Sequence, residues 1–127
     1  MPGESKTRVL VVDDMQAMRT MASALVASLG AEVAGEAENG EVALDLYRIE
    51  KPDLVLLDIE MPVRDGISTL KAILAEDPGA NVVMLTSVDN MMVVEDCIFS
   101  GARDYIRKDV DPEEMKGRLQ KELDKLG

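Results

Sequence analysis

The stretch Arg8-Val9-Leu10-Val11-Val12-Asp13-Asp14 decides the fold, because it joins an apolar run of strand length to a pair of carboxylates. The same arrangement returns at Leu54-Val55-Leu56-Leu57-Asp58. A strand that is apolar on both faces is typical of the centre of a parallel sheet, where helices cover both sides. The two stretches therefore predict central strands that each end on an acidic residue.

Two further apolar runs end on residues that can bind phosphate. The run Val82-Val83-Met84-Leu85 leads into Thr86-Ser87, and residues 102–106 are followed shortly by Lys108. Ligands of open parallel α/β sheets bind beyond the carboxyl ends of the strands. Carboxylates, hydroxyls and an ammonium group are therefore expected on one rim of the sheet.

Apolar runs alternate with amphipathic stretches five times, which predicts a five-stranded parallel α/β sheet with crossover helices. A weaker second strand is expected at residues 32–37, and a fourth helix at about residues 90–100. Four amphipathic stretches show helical spacing of apolar residues. The expected inward faces are Met15, Met18, Ala22, Leu25, Val26 and Leu29; Val42, Ala43, Leu46 and Tyr47; Ile67, Leu70, Ile73 and Leu74; and Met115, Leu119, Leu123 and Leu126.

The composition excludes several classes of protein. The formal net charge of −11 disfavours binding to nucleic acid or to anionic membranes. The chain contains no histidine, so it offers neither a Ser-His-Asp triad nor a phosphohistidine donor of its own. Its single cysteine, Cys97, is expected to be a small buried apolar residue. No stretch approaches the roughly 20 apolar residues of a membrane span, which favours a cytoplasmic location.

The acidic residues of the rim suggest a metal site. Asp13, Asp14 and Asp58 brought together would either share protons or hold a cation. A site with only oxygen ligands favours a hard ion such as Mg²⁺. Alternatively, Asp13 and Asp14 merely cap the first helix, which is a common role of aspartate.

Four motifs together resemble those of response-regulator receiver domains, and the match covers about residues 7–126. They are Val11-Val12-Asp13-Asp14, Asp58-Ile59-Glu60-Met61-Pro62-Val63-Arg64-Asp65-Gly66, Thr86-Ser87 and Gly101-Ala102-Arg103-Asp104-Tyr105-Ile106-Arg107-Lys108. The resemblance implies a single receiver domain with the strand order 2-1-3-4-5. Within residues 1–127 no output domain is expected.

The resemblance also implies roles for the acidic residues. Asp58 would accept a phosphoryl group from a phosphohistidine on a histidine kinase or a histidine phosphotransfer protein. Asp14 and Asp58 would bind Mg²⁺, or Mn²⁺, directly. The main-chain carbonyl of Glu60 would be a third ligand, and Asp13 would act through water.

The remaining rim residues would contact the phosphoryl group and transmit the signal. Thr86, Lys108 and the backbone amide of Ser87 are expected to bind the phosphoryl oxygens. Tyr105 would be the switch residue, turning inward as Thr86 moves towards the phosphate. Alternatively, Tyr105 is an ordinary strand aromatic with its hydroxyl at the surface.

The chain departs from the family pattern at several positions. Asp109 stands where proline usually follows the lysine, which predicts a trans Lys108–Asp109 bond and a rearranged loop, because a cis bond before a non-proline residue costs about 2.5–4 kcal/mol. Asp109 and Asp111 also place negative charge near Lys108. Arg64 changes a loop surface that is often apolar in the family. Glu60 and Val88 lie at positions that tune dephosphorylation in the family.

An expected partner surface comprises Met91, Met92, Val94 and Tyr105, because one helix face cannot bury four consecutive apolar residues. Flexible methionine side chains suit adaptable partner surfaces. The leading hypothesis is a stand-alone phosphorylatable switch that acts through a downstream protein target, with a role in chemotaxis or as a phosphorelay intermediate. It would be a monomer or a weak phosphorylation-dependent dimer. A small Mg²⁺-dependent phosphohydrolase and an unphosphorylated pseudo-receiver are the other hypotheses.

Overall fold

The computed structural model describes residues 6–61, 65–87 and 91–126. Strands and helices alternate five times, as the apolar pattern predicts. In chain order the elements are β1 (Arg8–Val12), α1 (Gln16–Ser28), β2 (Glu32–Ala37), α2 (Gly40–Glu50), β3 (Leu54–Asp58), α3 (Gly66–Glu76), β4 (Val82–Thr86), α4 (Met91–Phe99), β5 (Asp104–Arg107) and α5 (Pro112–Leu126). None of the helices in the described ranges is long and apolar enough to cross a membrane.

The five strands form one sheet in the order β2-β1-β3-β4-β5, and every neighbouring pair is parallel. The expected fold class and strand order are therefore confirmed. Beyond the carboxyl ends of β1 and β3 the chain turns to opposite sides of the sheet: α1 leads outwards to β2, and α3 leads to β4. This is the topological switch point, the place where open α/β sheets bind ligands.

Two apolar cores cover the two faces of the sheet. Alternate residues of each central strand enter opposite cores, as the twofold period of a strand requires. Leu10 and Leu57 join the core that α2, α3 and α4 cover, whereas Val11 and Leu56 join the core beneath α1 and α5. Because helices cover both faces, β3 and β4 are buried along their whole length and form a rigid base for the residues at their ends.

Two predicted core positions are wrong. Val42 is 36% exposed, and Leu44 takes its place in the buried face of α2, beside Ala43. Apolar residues at 42, 43, 44 and 46 leave the phase of this helix ambiguous in the sequence. Met15 is also exposed, because it is the N-cap residue of α1 and precedes the first turn.

Gly101 adopts a backbone conformation that other residues rarely reach. Its φ is +116°, and a Cβ atom there would lie 2.6 Å from Cδ1 of Leu74. Gly117 is different, since it lies inside α5, where an added Cβ atom would have nothing within 4 Å. The two glycines therefore form a matched pair.

We expect Gly101→Ala to lower the free energy of unfolding by about 1–3 kcal/mol, because alanine would be strained at this φ. Gly117→Ala should raise it by about 0.5–1 kcal/mol, because glycine is unfavourable inside an exposed helix. Urea unfolding followed by circular dichroism measures both. Equal effects of the two substitutions on the free energy of unfolding would contradict the claim that a side chain is strained at residue 101 and tolerated at residue 117.

Candidate functional site

Three carboxylates meet beyond the ends of β1 and β3. One oxygen from each of Asp13, Asp14 and Asp58 lies within 4.8 Å of the other two. Asp13 and Asp58 are buried, whereas Asp14 is exposed. The switch point of the sheet therefore brings together the acidic residues that the sequence placed on one rim.

Lys108 reaches this cluster from the segment between β5 and α5. Its ammonium nitrogen lies 3.0 Å from Oδ1 of Asp58 and 2.5 Å from Oδ2 of Asp13. Its backbone amide donates to the carbonyl of Thr86 at 2.8 Å, which holds the segment against the end of β4. Burial alone would lower the pKa of Lys108, but hydrogen bonds to Asp13 and Asp58 and their negative charges outweigh it and raise that pKa. Lys108 is therefore a positive charge in direct contact with two of the three carboxylates.

The Asp58 carboxyl loses its proton less readily than an ordinary aspartate does. Its pKa is raised from 3.8 to about 6, and burial is the largest cause. The hydrogen bond and the positive charge of Lys108 oppose this rise, whereas repulsion from Asp13 adds to it. One ammonium group thus compensates three carboxylates incompletely, and a bound cation would favour the ionised form of Asp58.

The alternative that Asp13 and Asp14 cap α1 is wrong. The N-cap of this helix is Met15, and no side chain caps it. Asp13 does accept a hydrogen bond from the Met15 amide at 2.9 Å, which closes a local turn before the helix begins. Asn39 and Asp65 show the capping geometry instead, at the starts of α2 and α3.

Gly66 permits the close packing of the segment behind Asp58. Its amide donates to the Ile59 carbonyl at 2.8 Å. A Cβ atom at Gly66 would lie 2.2 Å from the backbone oxygen of Asp58 and 2.6 Å from Cα of Ile59. Gly66 stands within one of the four motifs, but sequence reasoning missed this role, which only the tertiary contact reveals.

The other predicted rim residues lie on neighbouring elements. Thr86 is fully buried at the end of β4, and Ser87 is exposed directly after it. Strand β4 adjoins β3, and the Ile59 amide donates to the Leu85 carbonyl at 3.2 Å. The side chain of Glu60 is exposed, and its amide donates to Oδ1 of Asp58 at 3.4 Å. The phosphoryl and metal contacts of these residues stay predictions.

The Lys108–Asp109 bond is trans, as predicted, since no cis peptide bond occurs among the described residues. Asp109 pairs with Arg107 at 2.6 Å, and this hydrogen bond lowers the pKa of the Asp109 carboxyl. Asp111 accepts a hydrogen bond from the Glu114 amide at 2.8 Å, where α5 begins. The carboxylates of Asp109 and Asp111, which follow Lys108 in the sequence, therefore have partners other than Lys108.

The expected partner surface needs one correction. Met91 and Met92 are exposed, but Val94 is only 3% exposed and faces the core together with Cys97. Because α4 is short and rich in apolar residues, the sequence does not show which of them face the core. Phe99 was not among the predicted surface residues, yet it is 93% exposed at the end of the helix.

Two other predictions concern Cys97 and Tyr105. Cys97 is buried, as predicted, and burial raises the pKa of its thiol. Tyr105 is partly buried and packs against the core beneath α4, and its role as the switch residue stays a prediction. The predictions for Arg64 and Val88 concern positions outside the described residues.

We expect the stability of the metal-free protein to fall as the pH rises from about 4 to about 6.5. The folded-state pKa of Asp58 lies above its ordinary value, so the folded protein holds this proton more tightly than the unfolded chain does. Ionisation of Asp58 should therefore remove up to about 3 kcal/mol. Urea unfolding in a chelator measures this slope, and Asp58→Asn should flatten it. If the stability of the wild type and of Asp58→Asn falls with pH at the same rate, Asp58 is not the cause of this pH dependence.

The comparisons with known proteins agree with this geometry. Residues 9–120 match the family described as the response regulator receiver domain. The chain is 40% identical over 114 residues to the chemotaxis protein CheY of Thermotoga maritima, and the match covers 90% of this chain and 95% of that protein. It is 46% identical over 102 residues to the protein CcdB of Bacillus subtilis, with 80% and 85% of the two chains covered.

Solved structures share the fold. The CheY chain in a CheX-CheY-BeF3-Mg complex from Borrelia burgdorferi has a TM-score of 0.87 and 31% identity, and the match covers 92% of this chain and 89% of that chain. The response regulator domain of Thermotoga maritima CheB has a TM-score of 0.86 and 29% identity, with 95% and 96% covered. The chain therefore belongs to the response regulator receiver domain family, the CheY-like switches of two-component signalling.

Proposed function

We propose that Asp58 accepts a phosphoryl group from a phosphohistidine of a histidine kinase or a histidine phosphotransfer protein. The observation that carries this proposal is the buried Asp58 carboxylate, held at 3.0 Å by Lys108 beside two further carboxylates. The chain has no histidine, so the donor is another molecule. The proposed unit is one receiver domain with its core at about residues 7–126.

The transfer exchanges one bond to phosphorus for another. A carboxylate oxygen of Asp58 forms a bond to phosphorus as the bond between phosphorus and the donor's imidazole nitrogen breaks. The electron pair of the broken bond stays on the imidazole, which takes up a proton from solvent. Lys108 lies in contact with the carboxylate and offsets the negative charge of the incoming group.

The residues of the cluster fit a hard divalent cation. Their donors are all carboxylate or carbonyl oxygens, which Mg²⁺ prefers, and Mn²⁺ accepts the same set. In the proposed site Asp14 and Asp58 are direct ligands, the Glu60 carbonyl is a third, and Asp13 acts through water. The cation supplies positive charge for the phosphoryl oxygens. The CheY of Borrelia burgdorferi that was solved with BeF3 and Mg lends support by likeness.

The proposed switch links this site to the outer face of α4. Thr86 and the Ser87 amide bind the phosphoryl oxygens, and Tyr105 turns further inward as Thr86 moves. Tyr105 already packs against the core beneath α4, so its movement would shift that helix. The exposed side chains of Met91, Met92 and Phe99 form the proposed contact surface for the downstream target.

A role in chemotaxis is favoured by the relatives, several of which are named chemotaxis protein CheY. The CheX-CheY complex from Borrelia burgdorferi contains one relative together with a protein partner. The second candidate is a phosphorelay intermediate that passes the phosphoryl group onward.

We expect intact-mass spectrometry to show one phosphoryl adduct on the wild-type protein after incubation with a small acyl or amidophosphate donor and Mg²⁺. Asp58→Asn should show none, and a chelator should suppress the adduct on the wild type. Asp53→Asn is the matched control, because Asp53 precedes the other end of β3 and should leave the adduct unchanged.

Each other result has a distinct meaning. An adduct that persists in Asp58→Asn would overturn the choice of acceptor. Rapid turnover of many phosphoesters would favour a phosphohydrolase. If neither a small donor nor a phosphorylated kinase produces an adduct, only the pseudo-receiver hypothesis remains.

A further inference from the structure

We infer that Arg19 is a positioning residue for the cation site, acting on the backbone that carries Asp14. This inference rests on the proposed function, since it concerns the same site. It assigns a role to a residue of α1 that lies outside the motif set of the rim.

Asp14 needs such support because its side chain has none of its own. Asp13 contacts Lys108 and the Met15 amide, and Asp58 contacts Lys108 and the Glu60 amide. Asp14 is exposed, and within the described part of the chain its carboxylate makes no hydrogen bond or ion pair. The position of this carboxylate is therefore set by the backbone from which it extends.

Arg19 holds that backbone from one side. Its Nη1 donates to the carbonyl oxygen of Asp13 at 2.7 Å. This carbonyl and the amide of Asp14 belong to one peptide unit, which is planar. Fixing the carbonyl therefore fixes the plane from which the Asp14 side chain departs. The Asp13 amide is held as well, since it donates to the Ala37 carbonyl at 3.0 Å.

The guanidinium group is itself held in place. Its Nε lies 3.5 Å from Oε1 of Glu36, whose other oxygen accepts from the Ser23 hydroxyl at 3.1 Å. The Arg19 side chain is only 15% exposed. A planar guanidinium presents several donors in a fixed arrangement, so it can join a carboxylate and a carbonyl at once. Arg19 thus connects α1, β2 and the segment that carries Asp13 and Asp14.

A purely electrostatic role and a positioning role predict opposite results. A positive charge beside a cation site repels the cation, so removing the charge alone should tighten Mg²⁺ binding. Removing a residue that orients the ligands should weaken binding, because groups behind the metal ligands typically contribute about tenfold or more to affinity. The sign of the change separates the two roles.

The experiment compares Arg19→Met, Arg19→Lys and Arg48→Met with the wild type. Isothermal titration calorimetry measures Mg²⁺ binding. Electron paramagnetic resonance of the free Mn²⁺ that remains in solution measures Mn²⁺ binding. Arg48→Met is the matched control, because it removes the same charge from a pair with Glu76 on α2 and α3. Urea unfolding in a chelator shows how much of each variant is folded.

We expect Arg19→Met to raise the dissociation constant for Mg²⁺ by about tenfold. Arg19→Lys should restore part of this loss, because an ammonium group can still donate to one acceptor. Arg48→Met should leave the constant unchanged. If Arg19→Met is unfolded, Arg19→Lys and Glu36→Gln are compared instead, and each should weaken binding by a smaller factor.

Binding by the folded Arg19 variant that equals or exceeds that of the wild type would overturn the inference alone. If Arg19→Met is unfolded, unchanged binding by both Arg19→Lys and Glu36→Gln would overturn it equally. Absence of any Mg²⁺ binding by the wild type would instead overturn the proposed function, and the inference with it.

Discussion

The contact of Lys108 with the buried carboxylates of Asp13 and Asp58 is the interaction on which the site depends. Removing a charge from water costs several kcal/mol, so two buried carboxylates require a compensating partner. Lys108 supplies it at 2.5 Å and 3.0 Å, and its own backbone is bonded to the end of β4. One residue thus joins the ends of three strands, because its side chain contacts Asp13 and Asp58 beyond β1 and at the end of β3, and its backbone is bonded to the end of β4.

This compensation is incomplete, and the imbalance has a functional meaning. Three carboxylates face one ammonium group, and burial raises the pKa of Asp58 to about 6. Such a cluster opposes folding unless another positive charge is bound, and the apolar cores on both faces of the sheet supply the stability that tolerates it. An acidic cluster with a raised pKa of this kind is typical of functional sites.

Much of the fold could be predicted, because its signals are local and periodic. Apolar runs such as Leu54–Asp58 identify buried strands by their length and composition alone. The order of the strands came from the family resemblance and not from the residues. Helix phase was less predictable: Val42 and Val94 were misplaced because several apolar residues stand together in α2 and α4. There, packing against the sheet decides which residue turns inward.

The sequence by itself determined which chemical groups stand at the ends of the strands, and hence that carboxylates, a hydroxyl and an ammonium group share a rim. Only the tertiary structure decided how these groups are supported. The close approach of Gly66 to the Asp58 backbone and the bond from Arg19 to the Asp13 carbonyl join segments that no local pattern relates. The physical reason is that strand and helix signals arise from neighbours along the chain, whereas the position of a carboxylate depends on backbone contacts between elements.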